Sequence, residues 1–321
     1  MRHPNRVELA PIALFTYNRP EHVRRTVESL RANHLAQQSD LFVFSDGAKD
    51  HSGSGAVAAV RKFVRTINGF KSVMTIERER NLGLGASVIA GVTALCQEFA
   101  RVIVVEDDLL TTTDFLTFMN RGLQRYANEP RVHSLSGFNY AVKTPEGYPY
   151  DVFFTYRSSS WGWGTWKDRW ATADWTVPDY ACFKSDKNFQ RLFNRGGQDL
   201  SRMLDLQMIG RLDSWAIRWA YAHYKNDALT LLPVRSRIFN IGMDGSGINC
   251  RAGSSRQSPL TCEGAFETRF PPCIEADSRF AMQIYRAHRV SVVRRWTQVL
   301  LRSFKKERRP KQCFQPQRIA R

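Results

Sequence analysis

Residues 101–108 read RVIVVEDD, a β-branched apolar run from Val102 to Val105 that ends in three adjacent carboxylates, Glu106, Asp107 and Asp108. Such a run, bounded by charge, predicts a strand buried on both faces of a parallel sheet. Three acidic side chains crowded at its end repel one another and resist desolvation, and a divalent cation is the ready means of holding them. In open α/β sheets the crevice beyond the carboxyl ends of the strands is where ligands bind. A solvated acidic loop is the plainer alternative.

Working outward from this strand, the first 140 residues alternate two periodicities. Strands are expected at Pro11–Tyr17, Asp40–Ser45, Ser72–Glu77, Arg101–Val105 and Val132–Ser136, and helices at Glu21–Asn33, Ala56–Ile67, Ala86–Phe99 and Asp114–Ala127. The first helix follows Arg19-Pro20, with proline suited to a helix start, and repeats Val23, Val27 and Leu30 along one face. The alternation predicts an α/β fold, a Rossmann-like, mostly parallel sheet with helices on both faces. Beyond Phe138 the rhythm breaks: aromatics crowd Tyr148–Trp175 and glycines punctuate Trp161–Gly164. The chain is therefore divided at 8–140, 141–280 and 281–321, the first two as halves of one domain, since no long linker separates them.

A chain of 321 residues can bury a full core, and 43% hydrophobic with 24% charged and 12% aromatic residues excludes a disordered chain. No stretch of eighteen consecutive apolar residues is present, and Met1–Ala10 is too polar for a secretory signal, so a cytoplasmic protein is expected. The six cysteines (96, 182, 250, 262, 273 and 313) form no C-x-x-C pair, which favours reduced thiols over zinc or disulfides. The net charge of +17 is concentrated at the end: from Arg286 to Arg321, twelve Lys or Arg face the single acid Glu307. Within it Val293, Trp296, Leu300 and Phe304 recur at helical spacing between basic residues, the pattern of a helix lying on an anionic membrane surface. Docking on the body and nucleic-acid binding are the alternatives for this tail.

Four further segments could carry chemistry. Asp46-Gly47 follows the second strand, which places Asp46 at the rim of the triplet if the strands are near neighbours, or makes it a turn residue. Asn81-Leu-Gly-Leu-Gly85 offers G-x-G before a helix; without the third glycine it is a weak nucleotide signal and reads as a tight turn. Asp213, ahead of Ser214-Trp215, either caps the next helix or serves as a general base. Asn240–Cys250 is glycine-rich and, with Gly245 and Ser246, supplies backbone donors for a diphosphate or forms a lid. Among Trp161, Trp163 and Trp166, stacking on sugar faces competes with burial.

Together FTYNRP (15–20), FSDG (44–47), VVEDDL (104–109) and RSSSWGWGTW (157–166), in this order and spacing, resemble a GT-A-fold glycosyltransferase. The likeness spans roughly residues 10–250 and is to family 2-type bacterial sugar transferases and, in the Glu-Asp-Asp metal motif, to N-acetylglucosaminyltransferase I. It implies that Asp108 touches a Mn²⁺ or Mg²⁺ ion and that Thr16, Arg19, Asp46, Asn81, Glu106, Asp107, Gly245 and Ser246 line the site of a nucleoside-diphosphate sugar, a UDP-sugar first. Asp213 matches the catalytic base. The first two segments become nucleotide-sugar and acceptor halves. Asn18 stands where the Golgi enzyme has aspartate, so the base is not fixed by the likeness.

The expected enzyme is then a hexosyl- or N-acetylhexosaminyltransferase of polysaccharide or lipopolysaccharide biosynthesis, acting by inversion on a surface-glycan or lipid-linked acceptor at the inner face of the membrane. A cation neutralises the leaving diphosphate while a separate carboxylate deprotonates the acceptor hydroxyl. A sugar-1-phosphate nucleotidylyltransferase shares the sheet but needs a glycine-rich phosphate loop where this chain reads Thr16-Tyr-Asn-Arg-Pro20. A non-catalytic, basic nucleic-acid- or membrane-binding protein would leave the acidic rim unexplained, and no nucleic-acid partner is expected.

Overall fold

The computed structural model describes residues 8–245, 257, 260 and 267–289. In chain order the elements are β1 (Ile12–Thr16), α1 (Pro20–Arg31), β2 (Asp40–Ser45), α2 (Ser54–Val64), β3 (Ser72–Glu77), α3 (Leu84–Phe99), β4 (Arg101–Glu106), β5 (Leu109–Thr111), α4 (Phe115–Arg125) and β6 (Val132–Ser136). They continue with β7 (Val152–Thr155), β8 (Trp163–Trp166), α5 (Lys167–Trp170), α6 (Tyr180–Ser185), α7 (Lys187–Phe193), α8 (Leu200–Met208), α9 (Trp215–Lys225), β9 (Leu229–Pro233), β10 (Ile238–Asn240) and α10 (Ser278–Ala287).

Eight strands form one sheet in the order β3-β2-β1-β4-β8-β6-β9-β7. The first four are parallel neighbours, β6 and β9 are parallel, and β8 and β7 run against their partners. Alternate residues of the parallel strands feed two separate cores. Ile12, Leu14, Leu41, Val43, Ile103 and Val105 pack with Val23, Val27 and Leu30 of α1 and Val60 and Val64 of α2. Ala13, Phe15, Phe42, Phe44, Val102 and Val104 pack on the other face with Val88, Val92 and Leu95 of α3. The mostly parallel sheet with helices on both faces is thus the expected one, and the period of two explains why the inner strands β1, β2 and β4 are apolar along their middles, whereas edge strand β3 leaves Met74 exposed.

The second core is capped by tryptophans: Trp163, Trp170, Trp175, Trp215 and Trp219 pack ring against ring with centroids 4.6–6.4 Å apart. Beside them His223 is sealed, its Nε2 2.8 Å from Ser134 Oγ and its Nδ1 2.9 Å from the Trp219 carbonyl oxygen, with the His133 ring 5.3 Å away. Burial holds both imidazoles neutral, pushing His223 down to about 3 and His133 to about 4. The unfolded chain takes up these protons near the usual value of about 6.5, so their contribution is full above that pH and is lost as pH falls toward the folded values. The stability difference between the wild type and His223→Gln, from urea melts, is expected to shrink by about 1.4 kcal/mol per unit between pH 6.5 and 4.5. A difference that does not change with pH would contradict a neutral, buried imidazole.

The expected boundary at 281 falls inside α10. Phe280 and Ile284 of that helix are fully buried with Phe153 and Leu232, and the Phe280 ring stacks on Phe153 at 3.9 Å, so 281–287 are part of the body and not of a tail. The expected basic helix beyond Arg289 lies outside the described residues. Cys96, Cys182 and Cys273 are unpaired thiols; the other three cysteines lie outside the described residues. No helix among the described residues is long and apolar enough to cross a membrane.

Candidate active site

Because β1, β2 and β4 are adjacent and parallel, with Phe15 opposite Glu106 and Thr16 opposite Ser45, the residues that follow them share one rim. That rim receives Tyr17-Asn18-Arg19, Asp46-Gly47 and Asp107-Asp108, as a ligand crevice at strand ends requires. Glu106 closes β4 and is half-buried; Asp107 and Asp108 are only 5% and 4% exposed. Thr26 Oγ1 of α1 donates to the Asp107 carbonyl oxygen at 2.8 Å, fixing the strand end against the helix.

Arg19, the residue before α1, spans the two aspartates. Its Nη2 contacts Asp107 Oδ1 and lies 2.9 Å from Asp108 Oδ2. Burial works against its charge, but Asp107 and Asp108 outweigh burial and raise its pKa, so the guanidinium stays protonated. Burial also pushes Asp107 up to about 6, with Arg19 pulling it back and Asp108 adding to the rise. Glu106 goes up to about 8, through burial first and then the neighbouring carboxylates. The cluster therefore carries more carboxylate than Arg19 neutralises, and it sheds part of that excess by protonation. Two buried atoms are left without partners: Asp108 Oδ1, an acceptor, and Arg19 Nη1, a donor.

The antiparallel pairing of β10 with β5 sets Asn240 opposite Leu109 and delivers the glycine-rich loop onto these carboxylates. Ile241 N donates to the Asp108 carbonyl oxygen at 2.8 Å, and Gly242 N to Asn240 Oδ1 at 2.7 Å. At Gly242 a Cβ would run into Asp108 Oδ2 and come within 2.9 Å of Arg19 Nη1. Gly242→Ala is therefore expected to force Asp108 and Arg19 apart and lower kcat/KM by about 10²-fold, the scale of a 1 Å misplacement at a reacting centre. A steady-state assay reads it, and activity within about twofold of wild type would show that the loop yields instead. His22 Nε2, in the first turn of α1, lies 3.2 Å from Asp244 Oδ2 and ties the same loop down. Gly245 follows with a φ of 91°, a left-handed conformation glycine adopts readily. Ser246 lies outside the described residues.

Asp46 is at the rim, yet its bonds are those of a turn. Oδ1 accepts from Gly47 N at 3.0 Å and Leu82 N at 2.9 Å, and Oδ2 accepts from Gly83 N at 3.0 Å. Asn81 Nδ2 donates to the Gly47 carbonyl oxygen at 2.8 Å, so Asp46 and Asn81 staple two rim loops together. Gly83, with a φ of 77°, turns the chain into α3. The G-x-G segment is accordingly the tight turn expected of it.

Asp213 stands over that turn: its Oδ1 is 3.2 Å from where a Cβ on Gly85 would sit. It is exposed, and it does not cap α9. Ser214 does, its hydroxyl accepting from Ile217 N at 3.3 Å, which corrects the capping alternative. Thr16, the last residue of β1, is 4% exposed and its hydroxyl donates to the Phe44 carbonyl oxygen at 3.5 Å. Trp163 and Trp166 are core residues, leaving partly exposed Trp161, edge-to-face with Phe138 at 4.5 Å, as the one ring of the three available to a sugar. Two features escaped sequence reasoning, the Arg19 bridge and the packing of Gly242 on Asp108. The FTYNRP likeness placed Arg19 in the site without its partners, and glycine richness was the signal near 242.

Among the described residues no group of three or more His, Cys, Asp and Glu could by itself hold a metal ion. Magnesium-type sites need fewer protein ligands, one or two carboxylates completed by substrate phosphates. Buried Asp108, with one carboxylate oxygen free of partners, fits that requirement.

Residues 12–183, more than half of the chain, match glycosyl transferase family 2, and the chain belongs to that family. The family is one of glycosyltransferases, and the mostly parallel sheet with helices on both faces is the GT-A arrangement expected of it. Among solved structures, S. aureus TarS is 11% identical with a TM-score of 0.38 over 72% of this chain and 36% of that one. The mannosyltransferase PcManGT from Pyrobaculum calidifontis, in complex with GDP-Man and Mn²⁺, is 12% identical with a TM-score of 0.37 over 69% and 73%. Mouse xyloside xylosyltransferase 1 is 12% identical with a TM-score of 0.32 over 68% and 82%. The chain spans 36% of TarS and 60% of its 1–349 fragment. A comparison with curated protein sequences finds no match.

Proposed function

We propose that this glycosyltransferase is metal-dependent and inverting, moving a hexosyl or N-acetylhexosaminyl group from a nucleoside-diphosphate sugar, a UDP-sugar first, to a surface-glycan or lipid-linked acceptor. The observation that carries the reading is buried Asp108, with an unpartnered carboxylate oxygen at the end of a central parallel strand. Asp108 would hold the cation, in keeping with its motif likeness to N-acetylglucosaminyltransferase I, and Asp107 and Glu106 would shape the charge around it. The cation supplies neutralisation of the leaving diphosphate when bound. Arg19 would orient the phosphates, and the backbone amides of Gly245 and Ser246 would donate to them. Asp46 and Asn81 would hold the rim on which the nucleoside rests. Exposed Asp213 would take the proton from the acceptor hydroxyl, on the far side of the turn that Asp46 fixes. One base without a second nucleophile describes a single displacement, hence inversion.

The basic tail from Arg289 would keep the enzyme at the inner membrane face, close to a lipid-linked acceptor. A thermal-shift screen of UDP and GDP, each with and without Mn²⁺, tests the site. A nucleotide is expected to raise Tm only with the metal, and the rise is expected to vanish in Asp108→Ala. Stabilisation that ignores the metal, or survives in the variant, would refute the assignment.

A further inference from the structure

We infer that Arg19 is a tethered counter-ion that occupies the carboxylate site before the donor binds and passes from Asp108 to the donor's diphosphate, so that cation and diphosphate bind cooperatively. This rests on the reading of Asp108 as the cation's ligand. Three observations carry it. First, the bridge is only half used: Nη2 makes both carboxylate contacts, while buried Nη1 and buried Asp108 Oδ1 have no partner. A guanidinium is built to bind two acceptors in parallel, and a carboxylate to accept on both oxygens. What is missing on one side is an anion and on the other a cation.

Second, there is no slack around the pair. Gly242 packs so closely that a Cβ would strike Asp108 Oδ2 and crowd Arg19 Nη1. A divalent cation on Asp108 would therefore meet a fixed positive charge within a few ångströms and displace it. Third, Arg19 cannot leave the rim. It is the N-cap residue of α1, locked by Pro20 and by the Val23 N to Arg19 O hydrogen bond of 3.0 Å, so only its side chain can swing. The anion that arrives with the cation is the diphosphate, a bidentate partner for a guanidinium. Displacement by one ligand and capture by the other couples their affinities, and the coupling is reciprocal.

The test is Mn²⁺ binding to the full chain, read by the loss of the free-ion EPR signal beyond the loss that the same nucleotide causes without protein, with Mn²⁺ alone and with UDP or GDP. The wild type is expected to bind Mn²⁺ weakly alone and about tenfold or more tightly with a nucleoside diphosphate. Arg19→Gln is expected to bind Mn²⁺ alone about tenfold more tightly than wild type and to gain from the nucleotide at least about threefold less than wild type does, keeping only the gain that direct coordination of the ion by the diphosphate gives. The double variant Arg19→Gln/Asp107→Asn, which keeps the net charge of the site and spares it an unpaired carboxylate, is expected to show the same loss of coupling. Coupling that persists undiminished in both variants overturns the exchange. Asp108→Asn that binds Mn²⁺ with nucleotide as well as wild type overturns the site reading itself, a separate outcome.

Discussion

Asp108→Asn is expected to lower kcat/KM by about 10²- to 10³-fold, the scale on which losing a preorganised partner of a developing charge is felt. The amide keeps the shape that Gly242 packs against and removes only the charge. Asp108 lies beside Asp107 and Glu106, which burial and mutual repulsion already push toward protonation. Relieving that repulsion should leave Tm at or above the wild-type value. Loss of activity with gain of stability is the pair of results that marks a functional carboxylate. A fall in Tm alongside activity would point to a structural role through the Arg19 bridge, and activity above a tenth of wild type would remove Asp108 from the mechanism.

Asp213→Asn should instead lower kcat by about 10²- to 10⁴-fold, the contribution of a positioned general base, with stability unchanged within about 0.5 kcal/mol. Its carboxylate is exposed, and the adjoining helix is capped by Ser214, so the fold does not depend on it. Donor binding should survive, seen as an undiminished nucleotide- and Mn²⁺-dependent rise in Tm. That separates it from Asp108→Asn, in which the rise disappears. If kcat is retained, the base lies elsewhere on the rim.

The parallel half of the sheet was legible because its inner strands β1, β2 and β4 are buried on both faces and each carries its own apolar run. β2, β3 and β6 fall on the residues their patterns mark. β8 was not legible: Trp-Gly-Thr-Trp has no strand signature of its own, and it is extended because β4 and β6 pair with it on both sides. At the site, the rim could be placed from sequence since a strand that ends in charge must open to a crevice. The partners of each carboxylate could not. Arg19 meets Asp107 from 88 residues away, and Asp46 reaches Gly83 across 37, distances over which spacing along the chain says nothing. Asp-Gly at 46–47 was equally a turn and a site, and the structure uses Asp46 to brace the turn on which Asp213 stands.

The place of β8 in the sheet also sets the order in which the protein can be made. Trp163 lies 57 residues beyond Glu106, so β4 emerges from the ribosome well before the strand that covers its outer edge. At roughly 5–20 residues per second that edge stays unpaired for about 3–11 s, with hydrogen-bonding groups and valines of β4 open to other nascent chains. The strand that later carries Glu106 to the rim is, during synthesis, an open apolar edge, and chains arrested between β4 and β8 are expected to depend on chaperones more than chains released after β8.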